Sequence, residues 1–470
     1  MKTVKHLSRA ALIGGTALGL LAANGCAKEC TDDGVTAVCG DFGSQRFSVD
    51  WLWGVRWPAV ATQDSRLLVS SSDGLQEIDG QGESRMIQTF DQSAPADPWG
   101  VQTTASAPSM DDQGNAFLVV PNGEVQSFGD QGSQRRWAQA VGAGNAAAPP
   151  AVGQGVVHVP FVSVDRQGRD LVTLDAATGA TLSTRTGASP PVVLADEGLI
   201  YMSDTEDCGA SYRSVVVEDA LGAVRFRHDE PSGVRDFAPG PDGEFYVVTG
   251  DRELRRLSAD GSTDWTFTPD CMDCTVAGAP TVTADAIYFP VWEGEPPNTG
   301  CDDADPTSAE QPIEASDPLY ALRRDGSVLW SYDGFTTLAQ RYVDGQGTGG
   351  LLGFAMQQHV QHHPAGRPVV AADGTLFVPA DGAIVALDPN GKELGYALFN
   401  PGRGAVGVNG NPDTTWMNSG TENAPVLGED GRLYHFDGNS VRAFDTDKPA
   451  AKVPWSAPFG GSRNGSRLGG

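Results

Sequence analysis

A proline followed by a short apolar run recurs eight times along this chain, and this feature limits the possible folds more than any other. The shortest spacing between successive prolines is about 41 residues, and the longer intervals equal that spacing plus insertions. Self-similarity at such a period is typical of a repeat protein, in which each repeat is one small structural unit. The eight prolines are Pro58, Pro108, Pro150, Pro191, Pro239, Pro280, Pro368 and Pro425.

Each repeat contains further turn and strand signals. Shortly after the proline comes a turn and a strand-like run, as in PDGEFYVV (241–248). Another turn follows later and often leads to an aromatic residue, as in ALRRDGSVLW (321–330). A Gly or Asp turn followed by β-branched and aromatic residues is typical of a β-hairpin. The pattern therefore predicts four short strands in each repeat.

A single small antiparallel sheet cannot bury both of its faces, but sheets packed face to face around an axis can. The sequence thus predicts an all-β protein: an eight-bladed β-propeller of four-stranded antiparallel blades, with seven blades as the alternative. One ring would occupy residues 51–470 as a single domain, despite the 470-residue length of the chain. We expect the ring to close either through residues 47–55 pairing with the last blade or through the tail near Trp455 pairing with the first.

In its fuller forms the later motif reads A-L-D-x-x-G-x-x-x-W, and the tail carries Trp455 followed by FGGSRNGSR (459–467). These repeats resemble the pyrroloquinoline-quinone-like (PQQ-like, quinoprotein-type) propeller repeat. The chain is similar in type to the propeller lipoprotein of bacterial β-barrel assembly. The resemblance implies a propeller scaffold. PQQ itself is not expected, because the adjacent Cys-Cys pair of the quinone-dependent alcohol dehydrogenases is missing.

The N-terminus resembles a bacterial lipoprotein signal. Lys2, Lys5 and Arg9 precede an apolar stretch, and Gly25–Cys26 follows it. The apolar stretch is shorter than the roughly 20 residues that a membrane-spanning helix needs. We expect residues 1–25 to be a signal peptide, Cys26 to carry lipid, and residues 26–50 to form a Cys-containing tether. The predicted location is the outer membrane or periplasm, with an ordinary signal and a secreted protein as the alternative.

Cysteine usage agrees with export, because an even number of cysteines remains if Cys26 is lipidated. Sequence alone leaves the pairing open. The Cys271–Cys274 spacing also occurs in zinc and thiol-redox sites, although no second pair of zinc ligands lies at a suitable distance. The preferred disulfides are Cys30–Cys39, Cys271–Cys274 and Cys208–Cys301.

Three insertions exceed what a blade needs, at 292–317, 331–366 and 401–423. The first is rich in carboxylates, the ligands that calcium prefers, and the second contains three clustered histidines. The third contains an indole that could stack on a sugar or peptide. The alternative for each is a solvated polar loop. The candidate metal ligands are Asp302, Asp303, Asp305, His359, His362 and His363, and the candidate ligand contacts are Trp416, Trp292 and Trp99.

The formal net charge of −28 opposes binding to phosphate backbones, so we expect no nucleic-acid partner. No catalytic motif is present, such as G-x-S-x-G or H-E-x-x-H, and we predict no cofactor, although calcium or another divalent metal is possible. The favoured function is a non-enzymatic scaffold, anchored in the bacterial envelope, that binds a protein or polysaccharide. The alternatives are a divergent quinoprotein-type oxidoreductase, a metal-dependent enzyme using the histidines of 331–366, or a purely structural lipoprotein. The charged residues just before the prolines, which could face the central channel, are Arg56, Arg235, Asp236, Arg367 and Glu422.

Overall fold

The fold is all-β across the part of the chain that can be described. A short 3-10 turn, Gly334–Thr337, follows one of the strands. The computed structural model describes residues 30–32, 36–50, 60–62, 66–71, 73–90, 105–142, 144–146, 148–153, 155–163, 169–193, 198–205, 212–270, 274–276, 279–293, 318–338, 366–380, 382–399, 425–436 and 440–451.

The strands of the N-terminal half are short. In chain order they are β1 (Cys30–Asp32), β2 (Thr36–Gly40), β3 (Ser44–Asp50), β4 (Val60–Ala61), β5 (Leu67–Ser70), β6 (Gly74–Ile78), β7 (Ser84–Thr89), β8 (Ser109–Met110), β9 (Ala116–Val119), β10 (Glu124–Gly129), β11 (Gln134–Ala140), β12 (Gly144–Ala146), β13 (Ala151–Val152), β14 (Val156–Ser163), β15 (Arg169–Asp175), β16 (Thr181–Thr186), β17 (Ala188–Val193), β18 (Leu199–Thr205) and β19 (Tyr212–Glu218).

The C-terminal half begins with one longer strand and then continues in the same manner. Its strands are β20 (Val224–Pro239), β21 (Phe245–Thr249), β22 (Leu254–Leu257), β23 (Thr263–Phe267), β24 (Cys274–Val276), β25 (Thr281–Val282), β26 (Ile287–Glu293), β27 (Leu319–Leu322), β28 (Val328–Tyr332), β29 (Val369–Val370), β30 (Leu376–Ala380), β31 (Ala383–Leu387), β32 (Glu393–Phe399), β33 (Val426–Leu427), β34 (Arg432–Phe436) and β35 (Ser440–Asp445).

These described strands pair antiparallel and form seven sheets. Along the ring they are β4–β7, β8–β11, β12–β16, β17–β23, β24–β28, a six-stranded sheet of β29–β32 with β2 and β1, and β33–β35 with β3. The seven-blade alternative therefore matches the sheet count, and eight separate blades is one too many.

The physical reason for the lower count is strand β20. Its first part, Val224–Asp229, pairs with β19 as the last strand of the fourth repeat. The chain then bends at Gly233, which has a positive φ of 82°, and continues into pairing between Val234–Pro239 and β21. Because the strand is not interrupted, the fourth and fifth repeats share one seven-stranded sheet. Every predicted repeat nevertheless contributes its strands.

Apolar side chains between neighbouring sheets form the core. Val60 and Leu68 of the first repeat pack with Leu118 of the second, and Val119 of the second packs with Val157 of the third. The same kind of contact continues around the molecule and returns to the start, where β33–β35 packs against β4–β6. The first strands of successive repeats neighbour one another, so they surround the axis of the ring.

The A-L-D-x-x-G-x-x-x-W motif acts between neighbouring repeats. Trp265, in the outer strand β23, donates its indole N–H to the carbonyl of Arg324 at 3.0 Å, in the last turn of the next repeat. The ring lies over Gly326 of that turn, where an added Cβ would come within 2.8 Å of Cδ2. Only glycine allows this approach, which explains the recurring Gly and Trp. The same contact joins Trp137 to Ala176 and Gly179, and Trp330 to Pro389 and Gly391.

Residues 30–50 do not form the tether predicted for 26–50. Strands β1 and β2 make a hairpin that extends the seventh repeat's sheet through pairing of β2 with β32. A disulfide joins Cys30 to Cys39 across this hairpin, one of the three expected pairs. Strand β3 pairs with β35, so the ring closes through the N-terminal segment, the first of the two closures considered. Hydrogen bonding to strands about 400 residues away draws this segment into the domain.

Candidate functional site

The two faces of the ring differ in how the chain crosses them. Within the first seven repeats, the first strand joins the second and the third joins the fourth through connections of three to five residues. In the eighth repeat only the first two strands are joined in this way, because its fourth strand is β3 from the N-terminal segment. We call the side on which these connections lie the turn face. Because the strands alternate in direction, the connections from second to third strand and from each repeat to the next lie on the opposite side, the loop face. All three predicted insertions begin and end at strand ends on the loop face.

On the turn face, aspartate side chains accept hydrogen bonds from backbone N–H groups of their own turns. Asp111 accepts hydrogen bonds from the N–H groups of Gln113 and Asn115, and Asp388 does the same for Asn390 and Lys392. These carboxylates stabilise tight turns. Asp111 and Asp388 are therefore structural.

Most residues singled out from the sequence lie outside the described residues. They are Cys26, Arg56, Trp99, Cys208, Cys271, Cys301, Asp302, Asp303, Asp305, His359, His362, His363, Trp416 and Glu422. Two others lie within strands at the loop face. Cys274 is opposite Glu293 in the register of β24 and β26, and Trp292 is opposite Thr275. The remaining charged candidates, Arg235, Asp236 and Arg367, are well described.

Asp236 and Arg367 form an ion pair at the loop-face end of the ring axis. Arg367 donates from Nη2 to both carboxylate oxygens of Asp236 at 2.7 Å. The same carboxylate accepts the backbone N–H of Ala279 at 2.8 Å. The side chain of Arg367 is 4% exposed and that of Asp236 is 15% exposed, so little water reaches the pair. Asp236 thus ties together the starts of the fifth, sixth and seventh repeats at this end of the axis.

A second ionic cluster lies on the same face, toward the outside of the fourth and fifth repeats. The buried carboxylate of Glu230 accepts a hydrogen bond from Arg255 at 2.7 Å and another from Ser232 at 3.2 Å. Arg255 also bonds Glu253 at 2.9 Å, and His228 lies 3.7 Å from Glu230. Arg255 therefore bonds both carboxylates of the cluster, with one positive charge facing two negative charges.

Arg235 lies between these two clusters. It is the extra residue where the register between β20 and β21 shifts, because Val234 pairs with Thr249 and Asp236 pairs with Val248. Burial lowers the pKa of the Arg235 guanidinium, and the positive charge of Arg252 lowers it further. Arg252 lies in the turn that follows β21, so two arginines share one end of the loop face. Sequence reasoning missed Arg252, which stands where the equivalent turn of the second repeat has Gly123.

Other ionisable groups inside the ring hold repeats together. Tyr201 donates to Glu218 at 2.9 Å, and Arg185 of the preceding repeat donates to the same carboxylate at 2.8 Å. Burial, together with the hydrogen bond and charge of Glu218, raises the pKa of Tyr201 to about 12. His158 lies near Thr173, with its Nδ1 3.0 Å from the hydroxyl oxygen. Burial, helped by Arg185, lowers the pKa of His158 to about 4. These groups are structural.

Within the described ranges, no group of three or more His, Cys, Asp or Glu side chains is placed to hold a metal ion. No described helix is long and apolar enough to cross a membrane. What the described loop face offers chemically is a set of fixed charges, with arginine donors suited to binding and positioning.

Comparison with known proteins agrees with this architecture. A family model described as "Outer membrane protein assembly factor BamB" matches residues 121–296, from the second repeat into the sixth. The chain is a PQQ-like β-propeller that resembles BamB. A search of curated proteins gives no match.

Solved structures support the fold. BamB from Moraxella catarrhalis aligns with a TM-score of 0.53 and 14% identity, covering 86% of this chain and 99% of that one. The computationally designed Ika8 protein aligns with a TM-score of 0.53 and 12% identity, covering 86% and 100%. The Dos1 propeller aligns with a TM-score of 0.53 and 11% identity, covering 86% and 96%. At these identities the likeness concerns the fold alone.

Proposed function

We propose that this protein is an exported, lipid-anchored β-propeller that acts as a non-enzymatic binding scaffold in the bacterial cell envelope, holding a protein or polysaccharide on its loop face. One observation carries the proposal: between the described strands, the long connections leave from one face, while those on the other face are turns of three to five residues. Variable loops on a rigid frame are where propellers and similar scaffolds place their binding groups.

The resemblance to BamB, whose description names outer membrane protein assembly, supports a protein partner in the envelope. The charges of the described loop face support the same role, because fixed ion pairs hold the strand ends in place. The leader sequence supports export and lipid attachment at Cys26. A scaffold of this kind needs no cofactor.

Site-specific photo-crosslinking tests the binding face. A benzoylphenylalanine at Asp251, an exposed residue of the loop face, should give crosslinked partners in envelope preparations. The matched control is the same probe at Leu221, which is 94% exposed in a turn on the turn face. Equal crosslinks from both positions, or none from Asp251, would contradict the loop face as the binding surface.

Metabolic labelling with a palmitate analogue tests the anchor. The wild-type chain should take up label and move with membranes, and Cys26→Ala should do neither. Equal labelling of the two proteins would rule out lipid at Cys26.

A further inference from the structure

The N-terminal hairpin fixes the start of the described chain on the rim of the ring. Strand β2 pairs with the outer strand β32 of the seventh repeat, and β1 pairs with β2. The disulfide from Cys30 to Cys39 joins the two strands of the hairpin, and Cys39 is fully buried. Because Cys39 lies opposite Tyr396 in the middle of β32, Cys30 is held on the outside of the seventh repeat, midway between the two faces.

The link between this point and the proposed lipid is short. Cys26 precedes Cys30 by four residues. Four residues span at most about 14 Å, even when the chain is fully extended. Residues 30–50 cannot lengthen the link, because their strands are paired within the ring. A lipid at Cys26 would therefore keep this part of the rim close to the membrane surface.

The outer strand of the sixth repeat, β28, lies beside the hairpin. Cys30, Trp330 and Tyr332 pack on one core cluster that the sixth and seventh repeats share. Trp330 also donates its indole N–H to the carbonyl of Pro389 in the seventh repeat at 3.0 Å. The hydroxyl of Tyr332 donates to Glu393 at 2.5 Å. The chain entering at Cys30 and the strand β28 therefore occupy the same stretch of the rim.

Strand β28 presents apolar side chains to solvent at its turn-face end. Val328 is 47% exposed and Leu329 is 38% exposed. Within the described ranges, no other two consecutive large apolar side chains are both exposed, and β28 itself has no charged residue. Transfer of such side chains from water into the interfacial region of a bilayer is favourable. The turn-face corner of this rim is thus suited to contact with lipid.

Charges of both signs lie next to the apolar pair. The turn before β28 carries Arg323 and Asp325, and the neighbouring turn of the seventh repeat carries Lys392 and Asp388. Opposite charges this close together give little net attraction to an anionic surface. We therefore expect the contact to depend on apolar burial and to be insensitive to salt.

We propose that a lipid at Cys26 holds the rim of the sixth and seventh repeats against a membrane, with Val328 and Leu329 in contact with lipid. The inference rests on the proposed lipid anchor and specifies how the ring is oriented on the membrane. Two side chains are a small area for binding, but a four-residue link raises their effective concentration at the surface. The turn-face corner then meets the bilayer, and the loop face is left open to a partner.

The test uses the full chain with its lipid, purified and reconstituted into phosphatidylcholine vesicles. Benzoylphenylalanine in place of Leu329 should crosslink to lipid on illumination, with the yield measured by mass spectrometry. The matched control places the same probe at Leu182, which is 57% exposed. Both leucines are the extra residue at a register shift in an outer strand. Because Leu182 lies three repeats away around the ring, the yield at Leu329 should be at least about fivefold higher, and high salt should not change it.

A longer link separates anchoring from orientation. Insertion of about 20 Gly/Ser residues after Lys28 should leave flotation of the protein with vesicles unchanged. It should lower the lipid crosslinks from Leu329 about tenfold, because effective concentration falls roughly as the −3/2 power of link length. Equal yields from Leu329 and Leu182, or a Leu329 yield that the insertion does not change, would overturn the proposal.

The anchor and the orientation fail in different ways. If the wild-type chain takes up no palmitate analogue, or Cys26→Ala floats with vesicles equally well, the lipid anchor is wrong and the orientation fails with it. If labelling and flotation depend on Cys26 but the probes at Leu329 and Leu182 give equal lipid crosslinks, the anchor stands and the orientation is wrong.

Discussion

The contact between Trp265 and Gly326 predicts the effect of adding a single methyl group. Gly326 has a φ of +84°, and a Cβ at this position would lie 2.8, 3.0 and 3.2 Å from three atoms of the Trp265 indole. The indole cannot easily retreat, because its N–H is bonded to the Arg324 carbonyl of the same turn at 3.0 Å. Gly326→Ala should therefore force the two repeats apart at this contact.

Three costs add up in this variant. The left-handed backbone costs alanine about 1 kcal/mol or slightly more. Overpacking against the indole costs about 1–3 kcal/mol. Loss or lengthening of the hydrogen bond to Arg324 costs about 1 kcal/mol. We expect a total destabilisation of about 3–5 kcal/mol.

Gly243→Ala provides the control. Gly243 has a φ of +82°, but no atom lies within 4 Å of the added Cβ. It should therefore show only the backbone cost of about 1 kcal/mol. The measurement is the urea-unfolding midpoint of each variant, compared at equal m-value. In a Trp265→Ala background, Gly326→Ala should become as mild as the control, since the obstacle has gone. Equal losses for Gly326→Ala and Gly243→Ala in the wild-type background would refute the reasoning.

Three further outcomes are expected. Arg367→Met should destabilise the ring by about 3 kcal/mol in urea unfolding, because it leaves the Asp236 carboxylate buried without its partner, and adding Asp236→Asn should recover part of the loss; no recovery would mean that the pair matters through packing alone. The pKa of His158 is lowered to about 4, so below pH 6.5 the imidazole is protonated in the unfolded chain but stays neutral in the folded protein. The free energy of unfolding should therefore fall by about 2–3 kcal/mol between pH 6.5 and 4. His158→Gln cannot titrate and should flatten that part of the stability curve, whereas an unchanged slope would exclude His158 as its cause. Cys30→Ser removes the disulfide across the β1–β2 hairpin and should lower the free energy of unfolding of that hairpin by about 2 kcal/mol. Amide hydrogen exchange should then be faster in β2 than in β30. Equal exchange in the two strands would argue that pairing with β32 alone holds β2 in place.

The positions of the strands could be predicted from the sequence because their signals are local. Pro239, at the end of β20, restricts its own backbone, and Gly243 in the turn that follows permits the positive φ of 82° that this turn requires. The number of sheets depended instead on whether a strand would end between the fourth and fifth repeats or continue from one into the other. No residue near Gly233 indicates that β20 continues through the bend.

Contacts between distant residues could not be predicted in the same way. The pairing of β2 with β32 joins segments more than 350 residues apart, and the five residues of β2 carry no sign of which strand they will pair with. Asp236 and Arg367 were noticed because each lies near a repeat proline, but their pairing across the sixth repeat depends on the closed ring. Arg252 does have a local signal in the sequence. The turn T-G-D-R-E at 249–253 aligns with V-P-N-G-E at 120–124, and it has arginine where the second repeat has glycine.

The pairing of β3 with β35 has a consequence for how the protein is made. A ribosome produces β3 among the first strands of the domain and β35 as the last of those described, so the ring cannot close until synthesis is nearly complete. Until then, the first and seventh repeats lack the neighbour between them, and apolar side chains such as Leu67 and Ile384 have no partner surface. A newly synthesised chain would pass through an open arc whose two end sheets expose apolar surface. Premature termination only some 30 residues early would leave that arc permanently open.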